Sequence, residues 1–202
     1  MIKKIATLLL VITLSSCTLK SNNSESQNSI NSNDEVVLLL TGAPANQISF
    51  TNRIDSNSAN ASTANNEFDK KEKVKQFYID FRSYLKSNLK DKFNDWNARV
   101  VEIENGDAEH SGVLLSLYVS TRTIEELGQS VNFRCFVPSS AAKLTDVIKG
   151  IKLNDIVKIS GKFEYSDPLM IKMQSTTGTA DIADIFNNPE FFVQLEKINK
   201  TR

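Results

Sequence analysis

The hydrophobic period of this chain changes near Trp96, and that change dictates a helix followed by a sheet. Before it, apolar residues recur at Val74, Phe77, Tyr78, Phe81, Tyr84 or Leu85, Leu89 and Phe93. Steps of three and four residues gather them on one stripe of a helix. Beyond Trp96 the apolar residues alternate, the period of a strand with one buried face. Asp69-Lys70-Lys71-Glu72 has the spacing of a capping box, with Asp69 as N-cap. The pattern therefore predicts an amphipathic helix over 69–93. Lys75, Arg82, Lys86 and Lys90 lie opposite the stripe. A stripe this wide and aromatic calls for cover from its own domain. The competing use is contact with a membrane surface or a partner.

Alternation predicts strands over 97–104, 113–120, 131–137 and 156–165, with a last one over 191–198. Asn105-Gly106-Asp107 separates the first two, a strong turn signal. Residues 121–130 read as a connection with one helical turn at Ile124 to Leu127. Pro138 stops the third strand, and Ser139-Ser140 can cap a short helix over 141–150. Residues 169–174 can form a hairpin with the fourth strand after Asp167-Pro168. The class is α+β, mainly β with helices.

Three strands, a helix, then two or three strands is the order of the OB-fold, a small Greek-key β-barrel. Gly150 to Phe163 resembles that family most, with a turn leading into the valine- and isoleucine-bearing strand Ile156-Val157-Lys158-Ile159-Ser160-Gly161. Gly161 would permit the bend that closes a barrel. The resemblance spans roughly 96–199 and is similar to the tRNA-anticodon-like OB family, a name that describes ancestry. It implies an OB-like barrel domain over 94–199, preceded by the amphipathic helix. The region 166–190 is longer than a simple link in that family.

The chain starts Met1-Ile2-Lys3-Lys4, continues through an apolar run to Leu14, and reaches Ser15-Ser16-Cys17. A basic start, a short apolar run and small residues make a secretory signal over 1–16. The run is too short to span a bilayer, which takes about 20 residues. Leu14-Ser15-Ser16-Cys17 resembles the lipobox of bacterial lipoproteins. That resemblance implies a diacylglycerol thioether on Cys17, removal of the preceding peptide and acylation of the new terminus. Several acyl chains on one residue hold a protein on a membrane, where a single chain binds only reversibly. Thr18 in place of Asp points to the outer membrane, facing the periplasm, in a Gram-negative cell. In a Gram-positive cell the protein would sit on the outer face of the cell membrane.

Residues 17–68 read as a lipidated, mostly disordered tether. Residues 20–34 and 51–66 are rich in Asn and Ser and offer little apolar surface to offset ordering entropy. Between them, Val36 to Leu40 is either a loosely ordered patch or a strand docked on the body. A flexible coil over 18–66 would span on the order of 40 Å.

The chain carries 24 basic and 24 acidic side chains. Loss of Lys3 and Lys4 leaves 22 against 24, a net charge of −2. Non-specific nucleic-acid binding usually needs a basic face, so this balance argues against it. With Cys17 lipidated, Cys135 has no partner within the chain. Cys135 shares a strand face with Val131, Phe133 and Val137, which predicts a buried thiol.

No catalytic set emerges. His110, the single histidine, falls in a polar turn. No His/Cys spacing suits zinc, and neither a nucleophile elbow nor a phosphate loop occurs. Glu102, Glu104 and Asp107 cluster near one strand end, the pattern of a solvated end more than of an acid/base pair. No cofactor is implied. In OB barrels, strands two and three bind ligands. The face opposite the core there displays Tyr118, Arg134 and Phe136 with Ser116 and Asn132. The two rings can stack and the guanidinium can meet an anion. Alternatively, these residues cover the aromatic stripe of the first helix. The sequence thus favours a non-enzymatic module, anchored through Cys17, that binds an envelope protein or glycan. The alternatives are single-stranded nucleic acid or oligosaccharide on the same face, then a hydrolase using the acidic turn.

Overall fold

The computed structural model describes residues 42–106, 111–119, 131–167, 170–175, 185 and 188–201. Two helices come first: α1, Ala45–Ser62, and α2, Glu67–Tyr84. A π-helical turn, Leu85–Leu89, extends α2. Then follow β1 (Lys92–Asn105), β2 (Gly112–Tyr118), β3 (Asn132–Pro138), helix α3 (Ala142–Ile148) and β4 (Ile156–Phe163). The short strands β5 (Tyr165–Asp167), β6 (Met170–Ile171) and β7 (Met173–Ser175) lead to the long β8 (Pro189–Lys200).

The sheet order is β3-β2-β1-β4-β8-β7, and β3 also pairs with β8 in parallel. That pairing closes β1, β2, β3, β8 and β4 into a five-stranded barrel. β1 reaches both neighbours because it is long: its first half pairs with β4 and its second with β2. Irregularities lie between Phe93 and Trp96 and between Val100 and Glu102. At the first, Asp95 takes a left-handed φ of 51° and its N–H donates to Ser160 Oγ at 2.9 Å.

Gly161 acts through close approach. A Cβ there would lie 2.3 Å from the Gln194 carbonyl oxygen and 2.7 Å from the Phe93 ring. The β4–β8 register shifts between Ser160 and Gly161. The missing side chain thus lets β8 pass tightly across β4 while Phe93 fills the interior above it.

The core is aromatic. Phe93, Trp96, Phe133, Phe163 and Phe191 point inward and are buried. Trp96 and Phe133 stack at 5.8 Å, and Phe133 meets Phe163 edge-on at 5.6 Å. Cys135 is buried, as its strand face predicts.

Three sequence expectations change. The tether expected over 17–68 contains a folded helix from Ala45 onward. Its Asn and Ser residues conceal a stripe, Gln47, Phe50, Ile54, Asn57 and Ala61, all buried and at alternating steps of three and four. Tertiary contact overrides its low propensity. Second, α2 begins at Glu67 rather than Asp69. Asn66 is the N-cap, its Oδ1 accepting from Asp69 N–H at 2.9 Å. Asp69 turns back to accept from Asn65 N–H at 3.0 Å. The helix expected to reach residue 93 ends in the π turn, and left-handed Lys90 and Asp91 redirect the chain into β1. Third, Ser139 does not cap α3; its hydroxyl meets that of Ser111 at 2.7 Å. Residues 1–41, the acidic-turn residue Asp107, His110 and the connection over 121–130 lie outside the described residues.

α1 and α2 pack together on the barrel. Phe81 of α2 contacts Phe50 at 5.4 Å and Phe191 at 5.8 Å, and Arg53 lies 4.2 Å over the Tyr84 ring. Tyr78 accepts from Ile171 N–H at 2.6 Å. The aromatic stripe of α2 therefore meets Phe50 and the β6–β8 side of the barrel. Among the described residues, no helix is long and apolar enough to cross a membrane.

Candidate functional site

β2 and β3 run antiparallel with Tyr118 opposite Asn132, Ser116 opposite Arg134 and Leu114 opposite Phe136. Alternation sends Leu115, Leu117, Phe133, Cys135 and Val137 inward, where all are buried. Tyr118, Arg134 and Phe136 consequently share the outer face. The structure brings the three predicted residues together, and it also supplies each with a neighbour.

Tyr118 is only 5% exposed, with the Arg99 guanidinium 5.2 Å over its ring. Arg134 faces Glu190 of β8, Nη1 to Oε2 at 3.5 Å. The same Glu190 carboxylate accepts from Gln174 Nε2 of β7 at 2.5 Å. Glu190 is buried and sits at the parallel seam, opposite Asn132. One carboxylate thus ties β3, β7 and β8 where the barrel closes. Beside it, Ser116 donates to Glu102 Oε2 at 3.0 Å.

Phe136 differs from the other two. The residue is 41% exposed and its ring lies over Gly112, where a Cβ would come within 2.7 Å of the ring and 2.4 Å of the Val137 carbonyl oxygen. The bare glycine leaves the space that the ring fills. Leu114 is half-buried opposite it, and Val101, at the β1 irregularity, is exposed. Phe136 and Leu114 make this end of the face apolar, with Glu104 at its border opposite Leu114 and Val101 farther along, near Ser116.

Chemically, the arrangement can stack a flat or apolar group on Phe136 and offer hydrogen bonds along the Ser116–Arg134 row. It has little spare positive charge, since Glu102, Glu104 and Glu190 accompany Arg99 and Arg134. Sequence reasoning missed Arg99, Gln174 and Glu190. Glu190 follows Pro189, so alternation alone started the last strand one residue later.

Cys135 offers no nucleophile. Burial, then the charge of Glu164, pushes its thiol up to about 12, so it stays protonated at neutral pH. Among the described residues, no group of three His, Cys, Asp or Glu is placed to hold a metal ion. An open depression lined by Ala45, Ile48, Ser49, Asn52, Arg53 and Ser56 runs along the outer side of α1. Its one cation, Arg53, is engaged with Tyr84.

No protein-family model, curated protein or solved structure matches the chain.

Proposed function

We propose that this chain is a lipid-anchored binding module of OB type, working at the cell envelope without catalysing a reaction. The OB reading is supported by the strand order: β1 between β2 and β4, β3 parallel to the last strand, and α3 between β3 and β4. The anchoring reading is supported by the lipobox-like Leu14-Ser15-Ser16-Cys17. The observation that carries the binding reading is Phe136, a large exposed aromatic packed over Gly112 opposite Leu114. A rigid aromatic on an apolar patch is the usual anchor of a protein interface. It also suits stacking on a sugar ring.

Single-stranded nucleic acid is the weaker use of this face. Its arginines are accompanied by carboxylates, and backbone binding needs uncompensated cations.

Three experiments test the proposal. Metabolic labelling with an alkyne fatty acid should mark the wild-type protein and leave Cys17→Ala unlabelled and released from membranes. An unlabelled, soluble wild type overturns the anchor. For binding, a photo-crosslinking residue at position 136 in living cells should give a discrete adduct. The same residue at position 153, which is 58% exposed in the turn before β4, should not. Equal or absent adducts at both positions overturn the face. A titration with labelled single-stranded oligonucleotide at low salt should show no saturation.

A further inference from the structure

α1 is joined to the barrel through a stripe that is half polar. Nine of its 18 residues are Asn, Ser or Thr, types that compete with a helix by bonding to main chain. Ser56 and Ser62 do so here, donating to Asn52 O and Ala59 O. The N-cap is Pro44, which supplies no side-chain cap. The packed stripe mixes Phe50, Ile54 and Ala61 with Gln47, Thr51, Asp55 and Asn57. Asn57 is 3% exposed, and its Nδ2 is buried with no hydrogen-bond partner. An unpaired buried donor gains when water reaches it.

The barrel, in contrast, closes on itself through its own ladder. The side chain of Gln47 bonds to barrel main chain at Asn97 and Val119. Its chief apolar anchor is Phe50, seated among Trp96 at 5.0 Å, Phe191 at 5.3 Å, Phe163 at 5.6 Å and Phe133 at 5.9 Å. The barrel aromatics also pack on one another, so they do not depend on Phe50 for every contact.

We infer that α1 is a releasable plug: it leaves the barrel as one unit while the five strands stay paired, opening a slot the size of one aromatic side chain. Gly42 lies five residues before Gln47, so displacement of the preceding chain reaches the Gln47 clamp before any strand. Segments that bury few apolar side chains open below the global free energy, and the buried stripe of α1 has three, Phe50, Ile54 and Ala61. This inference stands on the packing of α1 and is independent of what the β2–β3 face binds.

Hydrogen exchange on the full chain at low urea tests it. Amides of 45–62 should exchange at least about 100-fold faster, relative to their intrinsic rates, than those of β1 and β4. Ser49→Ala, Ser56→Ala and Asn60→Ala are exposed replacements that raise helix propensity. Together they should slow exchange in α1 about tenfold and leave β1 and β4 unchanged. Trp96 is the single tryptophan and touches both Asn46 and Phe50. Its quenching by acrylamide should fall in the triple variant. One shared exchange rate for α1 and the strands, shifting together in the variant, overturns the inference.

Discussion

The side-chain amide of Gln47 pairs with the main chain of Asn97 as a neighbouring strand would. Its Nε2 donates to Asn97 O at 2.7 Å, and its Oε1 accepts from Asn97 N–H at 2.8 Å. Nε2 also donates to Val119 O at 3.0 Å. One fully buried side chain thus satisfies three main-chain groups, two within β1 and one just beyond β2.

Gln47→Leu should lower stability by about 2–4 kcal/mol, because it strands those three groups without water. Gln47→Glu keeps the acceptor but buries a charge and should be at least as harmful at neutral pH. Urea unfolding followed through Trp96 measures both, and a loss under about 0.5 kcal/mol for Gln47→Leu would contradict the pairing.

Cys135 predicts an alkaline weakness. Its folded pKa is raised from 9.0 to about 12, so between those values the unfolded chain loses a proton that the folded one keeps. Stability from this group is complete below pH 9.0 and is lost as pH rises toward about 12. The slope approaches about 1.4 kcal/mol per pH unit. Cys135→Ala should unfold more easily at pH 7 and show a shallower decline above pH 9.0. Parallel curves for the two proteins would refute the assignment.

Arg134→Ala should cost about 2 kcal/mol, less than the 3–5 kcal/mol of a fully buried pair, because Arg134 is partly exposed and Gln174 still serves Glu190. Restoring neutrality with Glu190→Gln in the same chain should recover part of the loss. A double-mutant cycle reads the coupling, and a value near zero would show that the pair is ornamental.

Gly161→Ala should be among the worst small substitutions, at about 3 kcal/mol or more, since the new methyl meets the Gln194 carbonyl rather than a movable side chain. Gly150→Ala is the control: its Cβ would lie 3.5 Å from the nearest atom, and the change should be within about 0.5 kcal/mol. Thermal melts of the two variants give the comparison.

The barrel strands and Cys135 were legible because alternation survives wherever a sheet has one dry face. Leu115, Leu117, Phe133 and Val157 each follow it. α1 was not legible, because its packing stripe is half polar and Gln47 contributes hydrogen bonds instead of apolar area. Nor was the start of β1. Lys90, Asp91 and Asp95 adopt left-handed backbone without being glycine, so no residue type announces the turn or the irregularity. On the outer face, alternation grouped Tyr118, Arg134 and Phe136 correctly. It could not reveal that Arg134 meets Glu190, which lies 56 positions along the chain by subtraction of their numbers.

The parallel seam between β3 and β8 sets the order in which this molecule can become safe. Phe133 pairs with Phe191, so β3 has β2 alone as a partner until β8 has been made. β4 waits as well, since its second neighbour is the same final strand. A nascent chain therefore carries two open strand edges until β8 arrives, and such edges recruit other chains. Long-range closure of this kind is also slow. A truncation that removes β8 would leave a sticky, half-built sheet in place of a shortened barrel.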